Sequence, residues 1–284
     1  MNYQKYRFGE ILGRAKEKNY AVGAFNIFNY LSAKAVVDAA EELKAPAILQ
    51  TSMGTVREFG AKKLFDMVQS VRNGATVPIL LHLDHCRDLS LLQECVDAGW
   101  DSVMIDASSK PFKENVETTL RAKEYASKKD VAVESELGVI IGTEDEISTD
   151  KEVGTNYEDA LSFLAKTKVD AFAPAIGTAH GIYKTQAAIN YALVKRLSQA
   201  SEVPVVIHGG TGLSEKQFSR LVKSGGAKIN ISTALKHAYI DSIRDYQKNN
   251  PEQYAPLDLD KAADDAIKTV VKKHMICFGS AEKY

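Results

Sequence analysis

Three histidines of this chain each lie just past the end of a short apolar run that is typical of a β-strand. In chain order they are His85, His180 and His208. Three imidazole nitrogens can bind one metal ion and leave a fourth coordination position open, which is typical of a catalytic zinc site. Asp84 precedes His85 directly, so the sequence predicts a proton-transfer group beside a Lewis-acidic metal.

Several other buried polar residues are placed to join this site. Glu134 and Glu136 are two residues apart on a predicted strand, so they share one of its faces. Buried carboxylates need a cation or hydrogen-bond donors, which leaves two interpretations: an ion pair with a lysine of the barrel, or a place near the metal. We expect Glu136 and Asp106 near the metal or at an alternate metal position. His82 has the same strand parity as Asp84, so we expect it in the interior, behind the metal ligands.

A polar loop follows the predicted strand that carries these glutamates. It contains Glu144, Asp145 and Glu146. A charged loop is often only solvated, but this one starts at the end of a strand where the histidines also collect. Glu144 is therefore a candidate for a mobile acid or base.

Two further segments predict a phosphate site. A glycine-rich turn follows the seventh predicted strand, and the eighth ends in a segment expected to cap a helix that starts near Ala234. Loops after strands seven and eight, next to a helix N-terminus, form the usual phosphate site of a barrel. Lys184 would add a positive charge. The candidate residues of the two segments are Gly209, Gly210, Thr211, Asn230, Ile231, Ser232 and Thr233.

Apolar runs alternate with helical patterns along the whole chain. Eight such strands with helices between them predict an α/β fold, a closed parallel (β/α)8 TIM barrel with near-continuous apolar strands. An additional N-terminal helix over 3–18 and a C-terminal helical extension over 235–248 and 258–275 flank the barrel. The predicted strands are 21–27, 47–51, 78–84, 102–106, 131–137, 171–176, 204–207 and 228–231.

No linker or repeat interrupts this pattern, so residues 1–284 are predicted to form a single domain. The alternative architecture is an open doubly wound sheet, which the even spacing of eight units disfavours. In a barrel of this kind, functional residues collect at the carboxyl ends of the strands. The polar residues singled out above fall at or near such ends, which favours the barrel further.

Composition narrows the classes of partner. Lysine and arginine number 36, and aspartate and glutamate number 37, which gives a formal net charge of -1. This balance gives no reason to expect a nucleic acid or a membrane surface as partner. No run approaches the roughly 20 apolar residues of a spanning helix, and three cysteines are too few for a disulfide framework. We expect a cytoplasmic protein that acts on a small molecule.

Taken in order, the motifs of the chain resemble those of the class II, zinc-dependent ketose-bisphosphate aldolases, in particular the fructose- and tagatose-bisphosphate branch. The resemblance covers almost the full length and rests on the segments 23–26, 50–52, 82–85, 134–138, 177–184, 208–212 and 228–233. It implies a barrel in a homodimer or homotetramer. The implied reaction is cleavage of a phosphorylated ketose, a ketose 1,6-bisphosphate, to dihydroxyacetone phosphate and an aldehyde such as glyceraldehyde 3-phosphate.

The resemblance also implies roles for individual residues. Zn²⁺ would bind to the three strand-end histidines, and a monovalent cation, Na⁺ or K⁺, would lie near the phosphate. Asp84 would exchange a proton with the C4 oxygen, and Glu144 would handle the proton on the dihydroxyacetone phosphate carbon. The positions that match substrate-binding motifs are Asn26, Ser52, Gly181, Lys184, Gly209, Thr211, Asn230 and Thr233.

Departures from the family motifs bear on the identity of the sugar substrate more than on the type of reaction. Ile141 stands where the family loop has a glycine, and a β-branched residue does not easily take a positive φ. Thr211 replaces a common serine, and the segment 185–190 lacks the usual proline. Fructose and tagatose bisphosphate, which differ in configuration at C4, therefore both remain candidates. A related ketose phosphate from inositol or sulfosugar breakdown is a further alternative.

Two other functions fit parts of the pattern. A zinc hydrolase would use the metal to activate water, but the phosphate segments and the position of Asp84 beside His85 disfavour it. A non-catalytic barrel subunit that binds a sugar phosphate would have no need for three metal-binding histidines. Cleavage of a C–C bond beside a carbonyl fits best, because the enediolate it leaves needs positive charge on its oxygens, which a zinc ion supplies.

Overall fold

The computed structural model of the protein describes residues 6–144, 147–149, 153–181 and 188–284. The strands in these ranges are, in chain order, β1 (Val22–Asn26), β2 (Ala47–Ser52), β3 (Ile79–Cys86), β4 (Ser102–Ile105), β5 (Ala132–Leu137), β6 (Ile141–Glu144), β7 (Ile147–Thr149), β8 (Ala171–Pro174), β9 (Ala179–His180), β10 (Val205–Ile207) and β11 (Gly226–Ile231). The helices are α1 (Phe8–Glu17), α2 (Tyr30–Leu43), α3 (Met53–Phe59), α4 (Ala61–Arg72), α5 (Leu89–Ala98), α6 (Phe112–Ser127), α7 (Tyr157–Thr167), α8 (Tyr191–Ala200), α9 (Glu215–Lys223), α10 (Thr233–Asn249) and α11 (Pro256–Cys277).

Eight parallel strands close into a barrel, in the order β1, β2, β3, β4, β5, β8, β10 and β11 around the ring. The predicted (β/α)8 barrel is confirmed, and each predicted barrel strand has its counterpart. The strands are almost wholly buried; all eight residues of β3, for example, are buried. Continuous burial follows from helices that cover the outer face while side chains fill the inside.

The barrel interior changes from apolar to polar along the strands. Side chains two apart on a strand share a face, so Leu80, His82 and Asp84 of β3 all point inward. Leu80 packs with Phe8, Leu12 and other apolar side chains in a cluster that α1 contributes to, and this cluster closes the amino-terminal end. His82 is fully buried above it. Asp84 lies at the carboxyl end, so the residues that could do chemistry collect at that rim.

The helices that surround the barrel begin and end at clear sequence signals. α5 begins after Asp88, whose side chain accepts hydrogen bonds from the backbone N–H groups of Ser90 and Leu91, and it ends at Gly99 in the left-handed conformation. The last helix, α11, packs along α2 and α10 on the outside. Among the residues described, no helix has both the length and the apolar character needed to cross a membrane.

The structure also contains elements that the sequence pattern did not predict. Two helices, α3 and α4, lie between β2 and β3; the first is capped by Ser52, and Gly60 with φ of 86° separates them. After β5, the short strands β6, β7 and β9 form a separate three-stranded sheet. Strands of two to four residues are too short for their alternation to stand out from the sequence.

Candidate active site

His85 turns into the site because β3 is bulged at its carboxyl end. Strict alternation would place the neighbours Asp84 and His85 on opposite faces of the strand. The pairing of β3 with β4 contains an extra residue between Leu83 and Cys86, and His85 adopts a left-handed φ of 45°. Such bulges re-aim side chains and are frequent beside functional sites, where backbone strain also concentrates. Carboxylate and imidazole can therefore serve one site.

The three histidines predicted as metal ligands meet at this rim. One nitrogen each of His85, His180 and His208 lies within 4.8 Å of the other two, and all three residues are buried. Both ring nitrogens of His85 and Nδ1 of His208 have no hydrogen-bond partner. Buried polar atoms without partners are uncommon, and three converging imidazoles form the donor set of a catalytic zinc ion. The residues present therefore fit a divalent metal.

Carboxylates surround His85 and favour a cation there. Its Nδ1 lies 3.4 Å from Oδ2 of Asp106. Burial would lower the pKa of His85, but Asp84, Asp106 and Glu136 raise it well above its usual value. Burial would raise the pKa of Asp106, but contacts with His85 and Arg87 hold that pKa well below its usual value. Surroundings that stabilise a proton on an imidazole also stabilise a metal cation.

His208 lies between two glutamates. Its Nε2 lies 2.9 Å from Oε1 of Glu134, and its Nδ1 lies 3.1 Å from Oε2 of Glu136. A neutral imidazole has one N–H and one lone pair, so a proton on Nε2 leaves the Nδ1 lone pair facing a carboxylate oxygen. A second proton on the ring or a bound metal ion between these two atoms removes the repulsion. Glu134 also pairs with a barrel lysine, Lys228, at 2.8 Å. The ion pair that the sequence offered as one interpretation of these glutamates is therefore present at Glu134.

Asp84 is held by three side-chain amides. Its Oδ2 accepts hydrogen bonds from Asn26 Nδ2 at 3.1 Å and Gln50 Nε2 at 3.2 Å, and its Oδ1 accepts one from Asn230 Nδ2 at 3.1 Å. The donors come from the carboxyl ends of β1, β2 and β11, and they fix the carboxylate next to His85. Gln50 is not among the residues predicted for the site; its signal in the sequence is a polar residue near the end of an apolar strand.

The glycine-rich turn after β10 packs tightly against β9. Gly209 has a φ of 68°, and a Cβ at this position would lie 2.5 Å from the carbonyl oxygen of Ala179. Only glycine fits such a position without strain. Thr211 follows in the same turn, and its Oγ1 accepts a hydrogen bond of 3.4 Å from the backbone N–H of Ala234 in the first turn of α10. The segments after β10 and β11 therefore meet, as a phosphate site requires.

The segment after β11 corrects one expectation. Helix α10 begins at Thr233, and the preceding Ser232 makes no side-chain capping hydrogen bond, so the cap expected from the segment 230–233 is not formed at the N-cap position. The Ser232 hydroxyl is instead buried with no partner, and so is Oδ1 of Asn230. A buried hydroxyl at the N-terminus of a long helix fits an anion. The predicted substrate residues Gly210, Ile231 and Thr233 also belong to these segments, and Gly181 follows His180 at the end of β9.

The polar loop after β5 starts beside the histidines. β6 pairs with β9 so that Ile141 lies opposite Ala179 and Gly142 opposite His180. Gly142 has a φ of 109°, and a Cβ there would clash with the carbonyl oxygen of His180. Ile141 lies in the strand and outside the positive-φ region, so this departure from the family glycine does not strain the backbone. Glu144 is the last residue of β6. The predicted residues Lys184, Asp145 and Glu146 lie outside the described ranges.

Comparison with known proteins agrees with this arrangement. Residues 6–283 match the model of the family described as fructose-bisphosphate aldolase class-II. Fructose-bisphosphate aldolase from Staphylococcus aureus (strain Mu50 / ATCC 700699) is 38% identical over 277 residues, covering 96% of this chain and 97% of the relative. Fructose-bisphosphate aldolase from Geobacillus stearothermophilus is 37% identical, with 96% of each chain covered. The crystal structure of the YdjI aldolase from Escherichia coli K12 superposes with a TM-score of 0.86 at 32% identity, covering 97% of each chain.

Proposed function

Because the chain belongs to the class II fructose-bisphosphate aldolase family, we propose that it cleaves fructose 1,6-bisphosphate reversibly to dihydroxyacetone phosphate and glyceraldehyde 3-phosphate. The protein is a lyase, and its family is metal-dependent. One observation carries the proposal for this chain: three buried histidines converge beside the immobilised carboxylate of Asp84. That pairing supplies a metal and a proton-transfer group to one small molecule, as aldol cleavage requires.

The proposed metal is zinc, held by His85, His180 and His208. When bound, it supplies a Lewis acid that polarises the substrate carbonyl and stabilises the negative charge left by C–C cleavage. An all-imidazole donor set suits zinc among the divalent ions. Glu136 and Asp106 are proposed as alternate metal ligands, because their carboxylate oxygens lie 3.1 Å and 3.4 Å from two of the histidines. A monovalent cation near the phosphate rests on the family resemblance alone.

Asp84 is proposed to exchange the proton of the C4 hydroxyl. As the C3–C4 bond breaks, this hydroxyl must lose its proton so that the C4 carbonyl of the aldehyde can form, and the reverse reaction returns the proton. A carboxylate can do this only if one oxygen is aimed at the hydroxyl. The amides of Asn26, Gln50 and Asn230 provide that orientation, which reduces the reorganisation needed for proton transfer.

Glu144 is proposed to move the second proton, on the carbon that becomes C3 of dihydroxyacetone phosphate. The support is its position at the end of β6, which pairs with β9 beside His180. A loop that starts there can close over the rim, as catalytic lids do. Replacing Glu144 with glutamine is then expected to slow exchange of hydrogen between that carbon and solvent.

The substrate phosphate is proposed to bind between the turn after β10 and the N-terminus of α10. Its oxygens would be bound by backbone N–H groups of the turn and the hydroxyls of Thr211 and Ser232, with Lys184 as a counter-charge. The proposed substrate-binding residues of this region are Gly181, Lys184, Gly209, Gly210, Thr211, Asn230, Ile231, Ser232 and Thr233. Asn26 and Ser52 line a groove of ≈ 330 Å³, and we assign them to the sugar.

The wider setting of the enzyme is also proposed. We propose that residues 1–284 act as a single domain, that the protein is cytoplasmic and that it assembles as a homodimer or homotetramer. The low cysteine content supports the reducing compartment, and the family resemblance supports the oligomer. Sedimentation of the purified protein tests the last of these directly.

A panel of cleavage rates tests the proposed reaction. Purified, zinc-loaded protein is assayed with fructose 1,6-bisphosphate, tagatose 1,6-bisphosphate and a neutral ketose 1-phosphate, and the triose phosphates are measured as products. The proposal predicts fructose 1,6-bisphosphate as the best substrate. A clear preference for the tagatose compound would correct the C4 configuration only, whereas a hydrolysed product, inorganic phosphate, would contradict aldol cleavage.

A further inference from the structure

A second layer of charged side chains lies directly beneath the histidine cluster. Glu134 and Lys228 point into the barrel, and both side chains are fully buried. Lys228 Nζ lies 2.8 Å from Glu134 Oε2, and Glu134 Oε1 lies 2.9 Å from Nε2 of His208. A charged lysine is almost never fully buried unless it is paired. This ion pair therefore connects the barrel interior to a single histidine of the cluster.

The contact with Glu134 determines which nitrogen of His208 is protonated. A carboxylate accepts hydrogen bonds and cannot donate one, so Nε2 must carry the proton. A neutral imidazole with its proton on Nε2 has its lone pair on Nδ1. Nδ1 is the nitrogen near Glu136 and has no hydrogen-bond partner in the protein. The ring is thus both oriented and held in the tautomer whose free nitrogen faces the rim.

Packing around Glu134 prevents the carboxylate from turning away. His82 lies on its other side, with Nε2 3.7 Å from Glu134 Oε2. His82 is itself fixed, since its Nδ1 lies 2.8 Å from Ser102 Oγ and its ring stacks on Phe8 at a centroid distance of 5.7 Å. Helix α1 therefore supports His82, which bounds the space of Glu134. Lys228 holds the oxygen that does not face His208, so the other oxygen stays available for the imidazole.

We propose that Glu134, anchored by Lys228, is a positioning residue that fixes the orientation and tautomer of His208 for metal binding through Nδ1. The inference rests on the proposed three-histidine metal site and adds the residues that prepare it. Carboxylates that accept the second N–H of a ligating histidine typically change metal affinity by about 10- to 100-fold when they are lost. If Glu134 served only to pair with Lys228, replacing both residues would leave zinc affinity unchanged. Replacement of a buried ion pair by apolar residues of similar volume is often neutral for stability.

Two matched double variants separate these roles. Both carry Lys228→Met, which removes the buried cation; one adds Glu134→Gln and the other Glu134→Leu. Each lacks the ion pair, so neither leaves an uncompensated buried charge. Only the glutamine retains an oxygen that can accept the hydrogen bond from Nε2 of His208. Zinc affinity is measured by competition with a chromophoric chelator, and the His208 tautomer by ¹⁵N NMR of the metal-free protein.

The positioning role predicts that the leucine variant binds zinc about 10- to 100-fold more weakly than the glutamine variant. It also predicts a mixture of His208 tautomers in the leucine variant and a single Nε2-protonated form in the glutamine variant. Equal zinc affinities and equal tautomers in the two variants would overturn the inference. Thermal unfolding of the metal-free forms checks that both are folded.

A third variant keeps the test decisive if a double variant does not fold. Glu134→Asp retains the charge opposite Lys228 but is one methylene too short to reach both partners, so the same loss of zinc affinity is expected. Affinity equal to that of the unsubstituted protein would overturn the inference. Failure of the unsubstituted protein to bind zinc is a different result, because it would remove the proposed metal site itself and the inference with it.

Discussion

A buried ion pair at the amino-terminal end of the barrel contrasts with the buried histidines and serine at its carboxyl end. At the amino-terminal end, Arg72 and Asp101 form a buried ion pair at 2.5 Å, and Asp101 also accepts a hydrogen bond of 2.8 Å from the backbone N–H of Leu81. At the carboxyl end, atoms of His85 and Ser232 are equally buried but have no hydrogen-bond partner. The first arrangement is complete within the chain, whereas the second is completed by a ligand. The cluster of unpartnered buried atoms at the carboxyl rim therefore fits a ligand, whereas the Arg72–Asp101 pair needs none.

The same contrast appears in the backbone. The amino-terminal end is closed by α1, whose residues Phe8, Ile11 and Leu12 pack into the barrel. The carboxyl end contains the bulge at His85 and the positive-φ turn at Gly209. Strain of this kind persists where the surrounding structure over-determines it, and it clusters at active sites. Substitutions at the two ends should accordingly separate effects on activity from effects on stability.

The largest effect on activity is expected from His180→Ala at the carboxyl end. Loss of one of three imidazole donors should reduce zinc binding, and several kcal/mol of Lewis-acid stabilisation correspond to a fall in kcat/KM on the order of 10⁴-fold. Zinc content and cleavage rate are measured on the same preparation. Unchanged zinc content with normal turnover would remove His180 from the metal site.

Asp84→Ala should lose nearly as much activity but keep the metal. We expect kcat to fall on the order of 10³-fold, within the range of general acid–base catalysis, while zinc stays bound. Asp84→Asn is the matched variant, because it retains the shape and one acceptor oxygen for the amide of Asn26 or Asn230 yet cannot take up the proton. Recovery of normal turnover on addition of zinc would show that Asp84 serves the metal instead.

A smaller effect is expected at the phosphate segment, from Ser232→Ala. Its buried hydroxyl is proposed to donate to a phosphate oxygen, and a hydrogen bond to a charged group contributes about 1.5–3 kcal/mol. KM should therefore rise about tenfold or more, with kcat changed much less. Steady-state kinetics over a range of substrate concentrations check this split. A KM equal to that of the unsubstituted enzyme would place the phosphate elsewhere.

The smallest effect on activity is expected from a substitution at the amino-terminal end of the barrel, Asp101→Asn. Asp101→Asn breaks the buried pair with Arg72, and removing one partner of such a pair costs about 3–5 kcal/mol of the free energy of unfolding. The folded fraction should nevertheless show normal kcat and zinc content, since this pair lies at the far end of the barrel. Urea unfolding and active-site titration measure the two properties. A large fall in kcat of the folded protein would contradict the separation of the two ends.

Much of the fold could be predicted because the barrel strands carry strong local signals. β3 opens with the apolar run Ile79–Leu81, and α5 has both an Asp88 cap and a Gly99 stop. The sheet of β6, β7 and β9 could not be predicted, since its short strands are defined by pairing with distant residues; Gly142 faces His180 across 38 positions of sequence. Long-range pairing of this kind leaves little trace in local hydrophobic periodicity.

The candidate site could likewise be predicted where it depends on strand ends, and not where it depends on contacts between distant residues. Strand-end position placed the three histidines and Asp84 at one rim, because parallel strands of a barrel end together. The sequence does not show which partner each glutamate has. Glu134 and Glu136 lie on the same face of the strand, yet Glu134 pairs with Lys228 and Glu136 lies beside Nδ1 of His208. Two residues of rise along the strand separate these surroundings. The cap expected from the segment 230–233 is not formed at the N-cap position, because the Ser232 hydroxyl is buried without a partner.

The central claim, that the rim histidines form a catalytic metal site, is tested most directly by titrating metal-free protein with Zn²⁺. Bound zinc and the rate of triose phosphate formation from fructose 1,6-bisphosphate are recorded in the same sample. Both are expected to rise together from near zero and to level off at about one zinc per chain, as for one three-histidine site. Full cleavage activity in the metal-free protein, lost on treatment with borohydride and substrate, would contradict it by indicating a lysine Schiff base.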